Sequence, residues 1–150
     1  MVEQIMGWLD DVKVKEGTEK WLELVHTLRE VTEGKIFLET PRARVTLLLS
    51  QYHEGQADDK PKEEHRKSME TASELLSDLQ VETYSSMERR EKTEFILEQM
   101  RLLITVARLK DDASKDSGKD SIADGESEWV KARVCGRKVN EEFLKEKDNE

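Results

Sequence analysis

The segment from Phe95 to Leu109 constrains the fold most, because it has helical length and carries apolar side chains around nearly its whole circumference. A helix of this kind must be covered by neighbours on more than one face. We therefore predict that it lies at the centre of the core, with Phe95, Ile96, Met100 and Leu103 as core residues. The preceding Ser85-Ser86-Met87-Glu88 fits a capping box that would start this helix. The apolar residues of the segment are Phe95, Ile96, Leu97, Met100, Leu102, Leu103, Ile104, Val106 and Leu109.

Four earlier segments also carry apolar residues at helical spacing, and residues typical of helix ends mark several of their boundaries. Thr18 is a candidate N-cap, and Gly34 stands where a left-handed residue often ends a helix. The predicted segments are Met1 to Val12, Thr18 to Glu33, Thr40-Pro41 to Gly55, and Pro61 to Leu79 with the stripe Met69, Ala72, Leu76 and Leu79.

Composition agrees with a helical chain. Charged residues make up 39% of the 150 residues and only 2 are prolines, which does not suit a β-sandwich. The repeated helix–turn–helix order predicts an all-α fold, an α-solenoid of antiparallel helix pairs over residues 1–110. No tetratricopeptide consensus is visible, so the repeat is predicted from architecture alone.

The stretch from Asp111 to Glu126 differs in composition from the rest. It holds six acids, two lysines and one large apolar residue, Ile122. We predict a disordered acidic loop over residues 111–126. Residues 127–150 would then form a last helix, capped by Ser127, whose stripe is Ala132, Cys135, Val139 and Phe143.

The net charge of −9 disfavours nucleic acids and anionic membrane surfaces as partners. A single cysteine excludes an internal disulfide and a multi-cysteine zinc site. No apolar run approaches the roughly 20 residues that span a bilayer, and the first residues lack the features of a secretory signal. We expect a soluble intracellular protein.

No set of residues predicts catalysis, a cofactor or a metal. His53 and His65 lie near Glu54, Glu63 and Glu64, but they are separated by twelve residues and a polar break, and no His-Glu-x-x-His occurs. Exposed surface side chains explain them better. Cys135 is predicted to be a small core residue.

A small basic cluster is the remaining feature that suggests binding. Lys35, Arg42 and Arg44 lie close in the sequence of an acidic chain, and Arg89 and Arg90 open the central helix. These five residues are candidate contacts for an acidic partner. Neutralisation of nearby glutamates is the alternative explanation.

Two long, irregular stretches closely resemble one family. It is the 26S proteasome lid subunit family called non-ATPase subunit twelve in animals and subunit five in yeast. The likeness covers most of Val12 to Leu109 and weakens across the acidic stretch. The two stretches are "TLREVTEGKIFLETPRARVT" from Thr27 to Thr46 and "ELLSDLQVETYSSMERREKTEFILEQMRL" from Glu74 to Leu102.

The resemblance implies a non-catalytic scaffold, present in the cytoplasm and nucleus, that acts in ubiquitin-dependent degradation. It implies contacts with other lid subunits, the deubiquitinating module, the ATPase base and the core particle. Members of the family end in a PCI domain with a winged helix. No part of this chain resembles that domain, so we expect a piece of the PCI-associated helical-repeat region.

Two alternatives remain open. Subunit four of the COP9 signalosome has a similar solenoid and PCI organisation, although the run from Leu79 to Arg101 favours the proteasome lid. A metal-dependent hydrolase using His53, His65 and the nearby glutamates is the alternative from another class, and it is the weaker of the two.

Overall fold

The computed structural model describes residues 1–57, 60–116, 125–139 and 141–145. All regular elements in these ranges are helical, which confirms the all-α prediction. Short 3-10 turns, Ile36–Leu38 and Val81–Thr83, lie in two of the connections. Within the described residues, no helix has both the length and the apolar composition needed to cross a membrane. The helices are α1 (Val2–Gly7), α2 (Leu9–Glu16), α3 (Thr18–Thr32), α4 (Glu39–Gly55), α5 (Lys62–Ser77), α6 (Arg89–Asp116), α7 (Glu126–Lys138) and α8 (Glu141–Leu144).

Helices that follow one another in sequence also pack against one another, from α2 on α3 through to α6 on α7. This order is that of a helical repeat, in which each element buries its apolar stripe against its neighbours. The stripe predicted for α5 is buried as a unit: Met69, Ala72 and Leu76, followed by Leu79.

The central position of α6 follows from its sequence. Phe95, Ile96 and Leu103 are buried, Met100 is partly buried against the same cluster, and Leu97 is exposed. The helix packs against α5 on one side and α7 on the other. Its apolar circumference is thus divided between two neighbours.

Helices α4 and α6 run parallel, side by side, with a constant offset in sequence. Arg44 on α4 pairs with Glu91 on α6, and Glu54 on α4 pairs with Arg101 on α6, each pair being separated by 47 residues. The equal separation shows that α4 and α6 run in the same direction in one register, and α5 packs on both of them.

One predicted helix is divided into two, and two predicted helix starts are wrong by a few residues. The helix predicted over residues 1–12 is interrupted at Trp8, where α1 ends and α2 begins, and α1 packs on α4. Helix α4 begins at Glu39, so Thr40 lies inside it, and the Thr40 and Ser86 hydroxyl oxygens are 2.7 Å apart. Helix α6 begins only at Arg89, so Ser85 and Ser86 lie before the cap position and no capping box forms.

Helix ends follow the sequence more closely. Helix α3 ends at Thr32 and Gly34 adopts a φ of +67°, the left-handed conformation that glycine accepts without a steric penalty. Helix α4 ends at Gly55, as expected.

The predicted start of the acidic loop, at Asp111, lies too early in the sequence. Helix α6 continues through Asp116, because Asp111 accepts a hydrogen bond from the Trp129 indole (2.9 Å) and Lys110 pairs with Glu128 (3.0 Å). These contacts anchor α7 to the last turns of α6. Residues 117–124, the rest of that loop apart from Gly125 and Glu126, lie outside the described residues.

Gly125 permits the close approach of α7 to α6. A Cβ atom there would lie 2.6 Å from the Ala107 carbonyl oxygen and 2.7 Å from the Asp111 carboxylate. Ala132 and Cys135 of α7 are buried, as predicted, but the helix ends at Lys138 and does not continue as one element. The side chain of Phe143 and residues 146–150 lie outside the described part of the chain.

Candidate interaction surface

The predicted basic contacts divide into two groups. Arg44 donates two hydrogen bonds to the Glu91 carboxylate, at 2.6 and 2.9 Å, and Arg90 pairs with Glu94 at 3.1 Å. The hydrogen bonds from Arg44 hold the pKa of Glu91 below its ordinary value. Arg89 also has a partner within the chain. Arg44, Arg89 and Arg90 therefore already have interaction partners within their own chain.

Arg42 braces the connection between α3 and α4. Its guanidinium donates a hydrogen bond to the Arg29 carbonyl oxygen and lies 4.0 Å from the Glu33 carboxylate. Burial, together with the charge of Arg42, lowers the pKa of Arg29. The end of α3 is thereby fixed to the start of α4.

We call residues 34–38 between these helices the exposed turn. Gly34 reverses the chain direction, and the amide of Leu38 donates a 2.9 Å hydrogen bond to the Lys35 carbonyl oxygen. Ile36 and Phe37 project from it with exposed fractions of 70% and 94%. The side chain of Lys35, also exposed, has no hydrogen bond or ion pair within the described ranges.

An aromatic side chain held outward on a hydrogen-bonded turn is typical of an interface anchor, because the backbone that carries it is already ordered before binding. Of the five predicted contact residues, only Lys35 lies in the exposed turn, and its side chain has no partner among the described residues. Sequence reasoning did not single out Ile36 and Phe37 as exposed residues. The available signal was that both are apolar yet belong to no helical stripe.

The histidines and the cysteine lie in separate places. Within the described residues, no group of three or more histidine, cysteine, aspartate or glutamate side chains is arranged to hold a metal. His65 Nδ1 is 2.9 Å from the Ala57 carbonyl oxygen. Burial, and then the charges of His26 and Lys60, lower the pKa of His53. Burial also raises the pKa of the Cys135 thiol.

A groove of about 630 Å³ lies between the start of α5 and the end of α6. Among the described residues that line the groove, His65, Glu63 and Asp112 could accept a proton, and none of these lining residues is a serine, threonine or cysteine. The lining residues are Lys60, Lys62, Glu63, His65, Arg66, Leu109, Asp112 and Ala113.

Comparison with known proteins shows which family has this helical arrangement. The family model described as "PSMD12/CSN4, N-terminal" matches residues 1–150, the whole chain. The chain belongs to this family. The resemblance inferred from the stretches Thr27 to Thr46 and Glu74 to Leu102 is therefore confirmed.

Several curated proteins are similar to this member of the PSMD12/CSN4 N-terminal family. The 26S proteasome non-ATPase regulatory subunit 12 of Dictyostelium discoideum is 33% identical over 150 residues, covering 100% of this chain and 26% of the relative. The 26S proteasome regulatory subunit rpn501 of Schizosaccharomyces pombe is 33% identical over 151 residues, covering 99% and 26%. The 26S proteasome regulatory subunit RPN5 of Saccharomyces cerevisiae is 41% identical over 106 residues, covering 69% and 21%. The chain thus spans about a quarter of the length of these relatives.

Proposed function

We propose that this chain is the N-terminal scaffold segment of a 26S proteasome lid subunit, non-catalytic and acting in ubiquitin-dependent degradation through protein–protein contacts. Similarity along the whole chain to proteins named 26S proteasome regulatory subunits is the observation that carries the proposal. The stacked helices support it, because the paired α4 and α6 form a rigid frame from which loops project.

The exposed turn is the proposed contact element. Phe37 and Ile36 supply an apolar anchor, and Lys35 supplies an adjacent charge that has no described internal partner. Burying two such side chains contributes about 3 to 6 kcal/mol to an interface before ordering costs are subtracted. Other lid subunits are the first candidate partners, followed by the deubiquitinating module, the ATPase base and the core particle. We also propose that the protein is present in the cytoplasm and nucleus.

The proposal is tested by native purification of the full-length protein through a tag, with quantitative mass spectrometry of the subunits recovered. We expect lid, base and core-particle subunits in near-equal amounts. Phe37→Asp should lower the recovery of at least one neighbour several-fold while leaving the circular dichroism spectrum unchanged. Val14→Asp, the same apolar-to-acidic change at an exposed residue of α2, is the matched control and should recover all subunits.

A COP9 signalosome subunit is the second candidate, because the family description names CSN4 beside PSMD12. Recovery of signalosome subunits in the same purification would establish this alternative. Recovery of neither complex would overturn both.

A further inference from the structure

The connection between α3 and α4 is fixed at the α3 end, although its middle projects into solvent. The Thr32 hydroxyl donates a 2.7 Å hydrogen bond to the Leu28 carbonyl oxygen, and Thr32 is buried. Arg42 of α4 donates a hydrogen bond to the Arg29 carbonyl oxygen. The last four carbonyl oxygens of a helix have no amide donor within that helix. Arg42 therefore supplies a donor to the end of α3 from the next helix.

The start of α4 is fixed to a second neighbour. Pro41 is buried in its first turn, where the proline ring restricts φ to about −65°. The hydroxyl oxygens of Thr40 and Ser86 lie 2.7 Å apart, and Thr40 is buried, so α4 contacts the connection that precedes α6. The exposed turn, residues 34–38, therefore joins two helix ends that are themselves fixed.

Two residues set the backbone path of the exposed turn. The Arg42 side chain is only 21% exposed, and its guanidinium contacts the Arg29 carbonyl oxygen and lies 4.0 Å from the Glu33 carboxylate. Gly34 has a φ of +67°, and a Cβ atom at this position would have no atom within 4 Å. Glycine is thus required there for its left-handed conformation and not for space. Both residues influence a partner through the backbone that carries Phe37.

We propose that Gly34 and Arg42 are positioning residues for the contact that Phe37 makes, an inference that rests on the proposed function of the exposed turn. Gly34 sets the direction in which the chain leaves α3, and Arg42 holds the end of α3 against the start of α4. Without either residue, Phe37 stays exposed but samples several orientations. Binding must then order the turn as well, which lowers the affinity for the neighbouring subunit.

Gly34→Ala tests the first residue in the full-length protein, purified natively through a tag. The readout is the recovery, by quantitative mass spectrometry, of the subunit whose recovery Phe37→Asp lowers. We expect Gly34→Ala to lower it about fivefold, because alanine disfavours a positive φ. Gly17→Ala is the matched control and should leave recovery unchanged. Gly17 also has a positive φ, +91°, with no atom within 4 Å of a Cβ, but it lies between α2 and α3.

Arg42→Gln tests the second residue, with Arg44→Gln as the matched control, because the Arg44 guanidinium donates to Glu91 of α6. Amide hydrogen exchange separates local loosening from loss of the fold. In Arg42→Gln, recovery should fall and exchange at residues 33–38 should accelerate several-fold, whereas exchange at the buried Leu102 of α6 should not change. Arg44→Gln should change neither recovery nor exchange at residues 33–38.

A second variant covers the case in which Arg42→Gln loses its circular dichroism signal. Arg42→Lys keeps a charged donor but lacks the planar guanidinium. It should accelerate exchange at residues 33–38 and lower recovery, each by less than a folded Arg42→Gln would. Exchange at residues 33–38 equal to that of the unmodified chain would overturn the role of Arg42.

Combined variants show whether both residues act through Phe37. Adding Gly34→Ala or Arg42→Gln to Phe37→Asp should lower recovery no further, because the contact is already lost. A further fall would overturn the inference. Lowered recovery in Phe37→Asp, with unchanged recovery in Gly34→Ala and Arg42→Gln, would overturn it too and leave the proposed function standing. Unchanged recovery in Phe37→Asp would instead overturn the proposed contact element, and this inference with it.

Discussion

Gln99 shows how one polar side chain joins two elements inside the apolar core. Its amide nitrogen donates hydrogen bonds to the carbonyl oxygens of Leu76 (2.6 Å) and Leu79 (2.9 Å), and all three residues are buried. These carbonyls lie in and just beyond the last turn of α5, where the helix itself supplies too few donors. Gln99 therefore ties the end of α5 to the middle of α6.

Replacing Gln99→Met keeps the side-chain size but removes the donor. We expect the free energy of unfolding to fall by about 1 to 3 kcal/mol, because the buried carbonyl oxygens of Leu76 and Leu79 lose their hydrogen-bond donor. Urea unfolding followed by circular dichroism measures the change. Gln51→Met, at an exposed position on α4, should alter the value by less than about 0.5 kcal/mol. Equal effects at both positions would show that the buried hydrogen bonds contribute nothing.

At the scale of the element, ion pairs fix the register of α4 against α6. Arg44 with Glu91 and Glu54 with Arg101 are both bidentate, and the two contacts lie ten residues apart on each helix. Ten residues of helix correspond to about 15 Å, so the two helices are held at two well-separated points. Bidentate geometry favours one relative position of the helices over the sliding that apolar packing alone permits.

Glu91 makes this register dependent on pH. Because Arg44 lowers its pKa in the folded chain, the stabilisation is present above the unfolded value of about 4.3 and is lost as the pH falls through the folded value. Glu91→Gln should lower the free energy of unfolding by about 0.5 to 1 kcal/mol at pH 7 and should reduce its decline in acid.

The measurement is urea unfolding at several pH values between about 7 and 3. Glu94→Gln is the control, since Glu94 pairs with Arg90 within α6 and both side chains are largely exposed. A decline in acid as steep in Glu91→Gln as in the unmodified chain would contradict the assignment.

At the scale of the whole molecule, two apolar clusters are joined through α4. Val45 and Leu49 belong to the cluster formed with α2 and α3, and Ala43 belongs to the larger cluster built around α5, α6 and α7. In stacked repeats, each unit is stabilised by its neighbours. Damage to the larger cluster should therefore spread through α4 to the smaller one.

Leu103→Asp places a carboxylate in the buried centre of α6, and Leu97→Asp places one on the exposed side of the same helix. We expect Leu103→Asp to abolish cooperative thermal unfolding, because an unpaired buried charge costs several kcal/mol. Leu97→Asp should retain a sharp transition close to that of the unmodified chain. Differential scanning calorimetry distinguishes the two outcomes, and a retained transition in Leu103→Asp would show that α6 is not central to stability.

Prediction from the sequence succeeded where a local signal was sufficient. The spacing of Met69, Ala72 and Leu76 identified the buried face of α5, and Gly34 and Gly55 marked the ends of α3 and α4. Helix starts were less certain: Thr40 and Ser86 have capping side chains, but their hydroxyls lie next to each other across two connections. A hydroxyl can satisfy its hydrogen bond locally or at a distance, and sequence alone does not distinguish these.

The same limit applies to the candidate surfaces. Lys35 and Arg44 look equivalent in sequence, yet the Arg44 side chain pairs with Glu91, which lies 47 residues away, and the Lys35 side chain has no partner within the described residues. Val130 and Ala132 are neighbours in sequence, but only the placement of α6 shows which of them faces outward.

The sequence by itself determined the helical class, the apolar faces, two of the helix ends and, through two long irregular stretches, the family. Each depends on residues close in sequence or on a specific order of residues. Only the tertiary structure decided the 47-residue register of α4 and α6, the extension of α6 through Asp116, and the exposure of Phe37. These features depend on which distant groups meet, and the free energy of such contacts is set by burial and geometry in the folded chain.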